Sequence, residues 1–323
     1  MSAFIRGLAF ALGLLLASAA NAQDAYPSRP ITIVVGYGAG GSTDIATRIV
    51  AAHMEKTLGQ PIAIENRVGG NGAVGTSAVN NARPDGYTLA MTSGSILTVM
   101  PWTLDLGFDP LKMSFVGSVL ESLYALFVRN DAPWRTVGEL VDYAKANPNK
   151  LVTANSGGWG LPDIGMAQLA NAVGGMQYRT VPTAGGGEQV LKLIAGDVQS
   201  ELNSATPTAP HYRSGAIRAL MVVSPAWPEL EAKGVPLSSK LYGFSVRNLS
   251  ALVGPPGLPE PIRQKLEDAL KAALDDPALV AQLEKGAGEL IRFRTGAQAR
   301  DDAVQVQTEQ KAIGEQLGKV LKK

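Results

Sequence analysis

Ile31-Thr32-Ile33-Val34-Val35-Gly36-Tyr37-Gly38-Ala39-Gly40-Gly41-Ser42-Thr43-Asp44 reads as an apolar strand, a glycine loop and the start of a helix. The glycines fit G-x-G-x-x-G at positions 36, 38 and 41. A loop of this kind lets backbone approach an anion closely and turns free N–H groups toward it. Two anions are compatible with it: the pyrophosphate of a dinucleotide and a small carboxylate. The rest of the chain decides between them.

On either side of this stretch strands and helices alternate. Pro61–Glu65 reads as a second strand, Gly72–Ala82 as a helix stopped by Pro84, and Tyr87–Met91 as a third strand. This βαβαβ order predicts a parallel sheet covered by helices. A second set follows, with strands at Phe115–Val119, Leu123–Arg129 and Leu151–Ala154 around a helix at Val137–Ala146. Leu151–Ala154 enters another glycine loop, Asn155-Ser156-Gly157-Gly158-Trp159-Gly160, and a helix from Asp163 to Val173 follows. Short strands continue at Thr180–Thr183, Val198–Asn203, Ala219–Val223 and Leu249–Val253. The chain closes with helices at Pro261–Leu274, Pro277–Lys285 and from about Gly296 to Leu321. Two glycine loops at matching places predict two α/β lobes facing each other across a cleft, since ligands bind at the carboxyl ends of such strands.

Residues 1–22 read as a signal peptide, with Arg6 before the apolar run Leu8–Leu16 and Ala20-Asn21-Ala22 as the cleavage signal. The mature chain of about 300 residues is then exported and close to neutral, since 29 Lys+Arg face 28 Asp+Glu overall. That balance argues against a nucleic-acid partner. Cysteine is absent, which removes disulfides, thiolate metal sites and a cysteine nucleophile together. The two histidines, His53 and His211, lie in settings that suit structural roles better than a catalytic triad. No metal-ligand spacing and no P-loop lysine is present.

A nucleotide-dependent (NAD-type) oxidoreductase using residues 36–41 is the rival reading, with Glu65 placed to hold a ribose. Export opposes it, and so does Asp44, a second anion where a pyrophosphate would sit. The carboxylate reading instead places ligand contacts at Tyr37, Ala39, Gly40, Gly41, Ser42 and Thr43 in the first loop, and at Ser93 and Ser95 after the third strand. The second lobe supplies Asn155, Ser156, Gly157, Gly158, Trp159 and Gly160, with Trp159 as an apolar wall. Tyr37 and Trp159 together would admit a flat aromatic acid.

Several blocks resemble one family. Tyr26-Pro27-Ser28-Arg29-Pro30-Ile31, the loop Gly36–Asp44, Glu65-Asn66-Arg67-Val68-Gly69-Gly70-Asn71-Gly72 and Pro84–Leu89 are similar to the substrate-binding proteins of tripartite tricarboxylate transporters, the Bug (Bordetella uptake gene) type. Val181-Pro182 with Gly185-Gly186-Gly187, Arg213–Leu220 and Gly254–Pro259 extend the resemblance over nearly the whole mature chain. It implies a two-lobed periplasmic binding protein of type II-like fold, with two parallel-rich α/β domains joined by a hinge that the chain crosses twice, near 120–128 and 246–253. Lobe 1 is then 23–124 plus 250–323, and lobe 2 is 125–249.

The implied activity is binding without catalysis, cofactor or metal. A small organic carboxylate (a di- or tricarboxylate, or an aromatic carboxylate) is captured by a monomer in the periplasm and passed to integral membrane transporter subunits. Thr183 and Ala184 stand where many relatives have Tyr-Lys, and Asn203 where many have an Asp that can meet a ligand amine. These departures point away from an aminated ligand. The His common at the second loop's helix start is Asp163 here.

Overall fold

A computed structural model describes residues 26–155, 159–287, 290–316, 318 and 320. Residues 1–22, expected to be an export signal, and the loop residues Ser156, Gly157 and Gly158 lie outside the described residues. The chain opens with β1 (Ile31–Val35), the helix Ser42–Leu58, β2 (Ile62–Asn66), the helix Ala73–Asn80 and β3 (Thr88–Thr92). β1 pairs in parallel with both β2 and β3. β4 (Ser114–Glu121) runs almost directly into β5 (Tyr124–Arg129), but the two belong to different sheets. β5, β6 (Leu151–Asn155), β7 (Tyr178–Pro182), β8 (Ser200–Ser204) and β9 (Ile217–Val222) build the second sheet in the order β7-β6-β8-β5-β9. The chain then returns through β10 (Leu249–Gly254) and β11 (Leu290–Thr295), giving the first sheet the order β11-β4-β10-β3-β1-β2.

Both sheets are mixed, each with a parallel part built from its own βαβ units and antiparallel pairs around it. β10 is antiparallel to β3 and β4, and β11 is antiparallel to β4. In the second sheet β5 is antiparallel to β8 and β9, while β6 is parallel to β7 and β8. The cause is topological. Strands joined by a crossover helix come out parallel. β5 and β10 arrive from the other sheet and enter in the opposite sense, and β11 keeps the sense of β10.

The first sheet is held by a core of Ile31, Ile33, Val35, Leu89, Met91, Val119 and Leu252. The helix Ser42–Leu58 presents Val50, Met54 and Leu58 to it, and the helix Glu260–Leu274 presents Leu266, Leu270 and Leu274. These positions fall at helical spacing, and each buried side chain of this size contributes about 1.5–3 kcal/mol. The second sheet carries an apolar layer on each face, one around Phe127, Val190 and Trp227, the other around Leu126, Leu140 and Leu169.

β11 and the helices Gly186–Ala195 and Ala205–Arg213 were not legible as elements. β11 alternates Arg292 and Arg294 with half-buried Ile291 and Phe293, a weak edge-strand pattern. The helix Ala205–Arg213 contains Pro207 and Pro210, which read as helix breakers. Among the described residues no helix is long and apolar enough to cross a membrane.

Candidate functional site

The first glycine loop is built from its neighbours. A Cβ on Gly36 would meet the Gly72 Cα at 2.5 Å, so glycine there lets two backbones touch. Gly40 has φ +81°, a left-handed conformation that glycine adopts without strain. Asp44, two residues inside the helix, ties the loop down. Its Oδ2 accepts from the Gly40 N–H at 3.0 Å. Its Oδ1 accepts from Arg48 Nε at 3.0 Å and Asn66 Nδ2 at 2.9 Å. Asn66 also donates to the Tyr37 carbonyl at 2.9 Å. These hydrogen bonds, Arg48 foremost, outweigh desolvation and hold the Asp44 carboxyl below its ordinary value. Glu65, the residue a ribose would need, instead grips Arg67 on the surface.

The two loops meet. The Gly38 N–H donates to the Ala184 carbonyl at 2.9 Å, and the Leu161 N–H donates to Ser95 Oγ at 3.1 Å. Ala39 and Gly40 lie against Gly187, whose Cβ position falls 3.2 Å from the Ala39 carbonyl oxygen. The lobes are therefore closed on each other. Behind the seam lies a cavity of about 30 Å³. Tyr37, Gly41, Ser42, Thr43, Ser93, Ser95 and Asn203 line it, as do six residues outside the predicted set: Asn71, Tyr124, Pro162, Gly186, Gln189 and Ser204.

Four helices begin at this cavity: Ser42–Leu58, Leu161–Ala172, Gly186–Ala195 and Ala205–Arg213. Their first-turn N–H groups and positive dipole ends make an anion seat. No Lys or Arg is among the described lining residues. Asn71 adds a side-chain donor. It is buried at 4 % exposure, and its Nδ2 has no hydrogen-bond partner among the described residues. A buried amide left in that state needs an acceptor. The sequence signal for Asn71 was its place between Gly70 and Gly72; its φ of +52° is the left-handed form that Asn tolerates.

Proton positions in the first lobe follow from counting. Tyr37 Oη lies 2.9 Å from the Asn71 carbonyl and 2.5 Å from Ser93 Oγ. The tyrosine's single hydrogen goes to the carbonyl, so Ser93 donates to Tyr37. Burial pushes the Tyr37 hydroxyl up to about 12, keeping it neutral.

The other predicted residues sit behind this lining. Asn155 Nδ2 donates to Asp163 Oδ1 at 2.8 Å, and the Gly160 N–H donates to Asp163 Oδ2 at 3.1 Å. Gly160 packs directly on the Asn71 amide. Thr183 Oγ1 donates to the Asn155 carbonyl at 2.8 Å, and Ala184 forms the seam. Trp159 packs at an apolar cluster of Val99, Trp102, Leu161, Ile164 and Val246 rather than in the cavity lining. Tyr37 and Trp159 therefore do not form one aromatic pocket, because the ring of Trp159 is drawn into the cluster joining the lobes. Ser156, Gly157 and Gly158 fall outside the described residues.

The model of the tripartite tricarboxylate transporter family receptor matches residues 46–318. A protein of the gbd 5′ region of Cupriavidus necator is 35% identical over 314 residues, covering 95% of this chain and 93% of its own. BugT of Bordetella pertussis is 29% identical over 290 residues, covering 83% and 85%. Among solved structures, the periplasmic binding protein BugD is 27% identical with a TM-score of 0.86, covering 91% of this chain and 99% of that one. MatC of Rhodopseudomonas palustris, solved with bound malate, is 26% identical with a TM-score of 0.82, covering 89% and 99%. With a four-helix anion seat between two mixed α/β lobes and a family match over most of its length, this chain belongs to the tripartite tricarboxylate transporter receptor family, the periplasmic solute-binding proteins of Bug type.

Proposed function

We propose that this protein captures a small aliphatic carboxylate between its lobes in the periplasm and delivers it to integral membrane subunits of a tripartite tricarboxylate-type transporter. One observation carries the reading. The interlobe cavity is lined by helix N-termini, small hydroxyls and the unpartnered Asn71 amide, with no basic side chain. Backbone N–H groups and helix dipoles stabilise a carboxylate without a paired cation. The bound malate of MatC, a relative of the same fold, agrees with this chemistry. The chain acts by binding and has no catalytic step.

The closed cavity has room for a few waters only, so ligand entry requires the lobes to part. The hinge of this motion lies where the chain passes between the sheets, at Glu121–Tyr124 and near Asn248. Asn248 links both sides of it, accepting from the Gly94 N–H at 2.7 Å and donating to Tyr124 Oη at 3.1 Å. We assign residues 26–124 and 250–316 to one lobe and 125–249 to the other. Residues 1–22 are read as the export signal, removed after Ala22, and the mature protein as a monomer.

The test is a thermal-shift screen of the mature protein against mono-, di- and tricarboxylates and aromatic acids, with NAD as the control. A ligand at 100 times its Kd stabilises by about 2.7 kcal/mol. Stabilisation by aliphatic acids is expected; no shift with any acid, or a shift with NAD alone, overturns the reading.

A further inference from the structure

Asn203, at the cleft end of β8, has no amide hydrogen left to give a ligand. Its Nδ2 donates to the Gly186 carbonyl at 2.9 Å and to Glu201 Oε2 at 3.0 Å. A primary amide carries two N–H donors and an oxygen with two lone pairs. Both donors are spent. The oxygen accepts from the Ser204 N–H at 2.8 Å, which leaves one lone pair.

Backbone groups fix this orientation. Turning the amide over would set its oxygen against the Gly186 carbonyl and its nitrogen against the Ser204 N–H. Asn203 Oδ1 lies directly in front of Gly186, and both residues line the cavity. The remaining valence of Asn203 is thus an acceptor, set among groups that otherwise donate.

We infer that Asn203 is a specificity-determining residue that selects a ligand bearing a hydroxyl group beside its carboxylate, making the physiological ligand a short hydroxycarboxylate. The inference rests on the carboxylate-receptor reading. A carboxylate oxygen placed at Asn203 would face an acceptor and leave both unsatisfied. A hydroxyl donates to Asn203 Oδ1 and still accepts from a neighbouring N–H. An ammonium is a donor as well, but it needs a negative partner. Glu201 is fully buried, and burial pushes its carboxyl up to about 8. It is therefore an uncharged acid at neutral pH and supplies no counter-charge.

The experiment is calorimetric titration of the mature protein at pH 7 with matched acids: malate, succinate and aspartate, then lactate and propionate. The hydroxy acid of at least one set is expected to bind ten-fold or more tightly than its deoxy partner, with aspartate weaker than malate. Asn203→Ala is expected to bring each hydroxy acid and its partner within about three-fold of each other, while circular dichroism and Tm verify its fold. Equal or tighter binding of the deoxy acids, tighter binding of aspartate, or an unchanged ratio in Asn203→Ala overturns the inference. Binding of other acids from the screen with no hydroxy acid bound overturns it too, and leaves the carboxylate reading standing. Binding of no acid at all removes both.

Discussion

Asp44 and Asp163 hold matching places in the two lobes, but among the described residues only Asp44 has a cation beside it. Each accepts from a glycine N–H of its own loop, Gly40 or Gly160, and from an asparagine amide, Asn66 or Asn155. Arg48 adds its guanidinium to Asp44. Asp163 has no such partner, and burial drives its carboxyl up to about 6 despite the hydrogen bonds. The same loop design thus has opposite titration behaviour in the two lobes.

The first prediction follows from that contrast. Asp163 is raised in the folded state, so its contribution to stability is full below its ordinary value of 3.8 and is lost as pH rises through about 6. Asp44 is lowered, so its contribution is present above 3.8 and is lost as pH falls through its depressed value. Carboxyl carbon NMR should show one aspartate titrating near pH 6, absent in Asp163→Asn. An Asp44 signal that titrates above the ordinary range would contradict the assignment.

Glu201 extends the same logic to the interior of the second lobe. Its carboxyl is raised from 4.5 to about 8, so stability declines as pH climbs between those values. Glu201→Gln keeps the shape and cannot ionise. We expect it to be more stable than the parent at pH 8.5 by up to about 5 kcal/mol and close to it at pH 4.5. Urea unfolding at the two pH values measures the difference.

Asn71 is expected to carry affinity and little stability. Asn71→Gly retains the left-handed backbone and removes the buried amide donor. A hydrogen bond to a charged group is worth roughly 1.5–3 kcal/mol, so affinity for the best acid should fall by about 10- to 100-fold. Calorimetry gives the affinity, and a Tm within a few degrees of the parent verifies the fold. Unchanged affinity would remove Asn71 from the site.

Ser95 joins the lobes by accepting the Leu161 N–H. Ser95→Ala leaves that N–H without its partner in the closed form only, at a cost of about 1–3 kcal/mol. The equilibrium should move toward the open form, weakening ligand binding by ~5-fold or more. Small-angle scattering of the unliganded variant should show a larger radius of gyration than the parent; equal radii and equal affinities would show that this contact does not latch the lobes.

Much of the site was readable where local sequence constrains local backbone. The glycine loop at 36–41 could be placed between a strand and a helix because apolar periodicity and glycine act over a few residues. Ser42, Thr43, Ser93 and Ser95 followed from that placement, at helix starts and strand ends. Asn71, Tyr124, Gly186 and Ser204 did not, because each reaches the cavity through an element that sequence pattern left unassigned or assigned to packing. Trp159 shows the opposite error. Large rings are at home both in pockets and in apolar clusters, and only the position of Val99, Trp102 and Val246 put this one in a cluster.

The sequence by itself determined that the chain is a two-lobed α/β protein with anion-seeking loops, because strand period, helix period and glycine turns are local properties. It also identified the family, through blocks spread along the whole chain. Tertiary structure alone decided the mixed sheets, since the direction of β5 and β10 depends on which sheet each strand came from. It alone decided which donors and acceptors are free at the cavity. The valence left on Asn203 and on Asn71 depends on Gly186, Ser204, Glu201 and Gly160, partners brought together by folding.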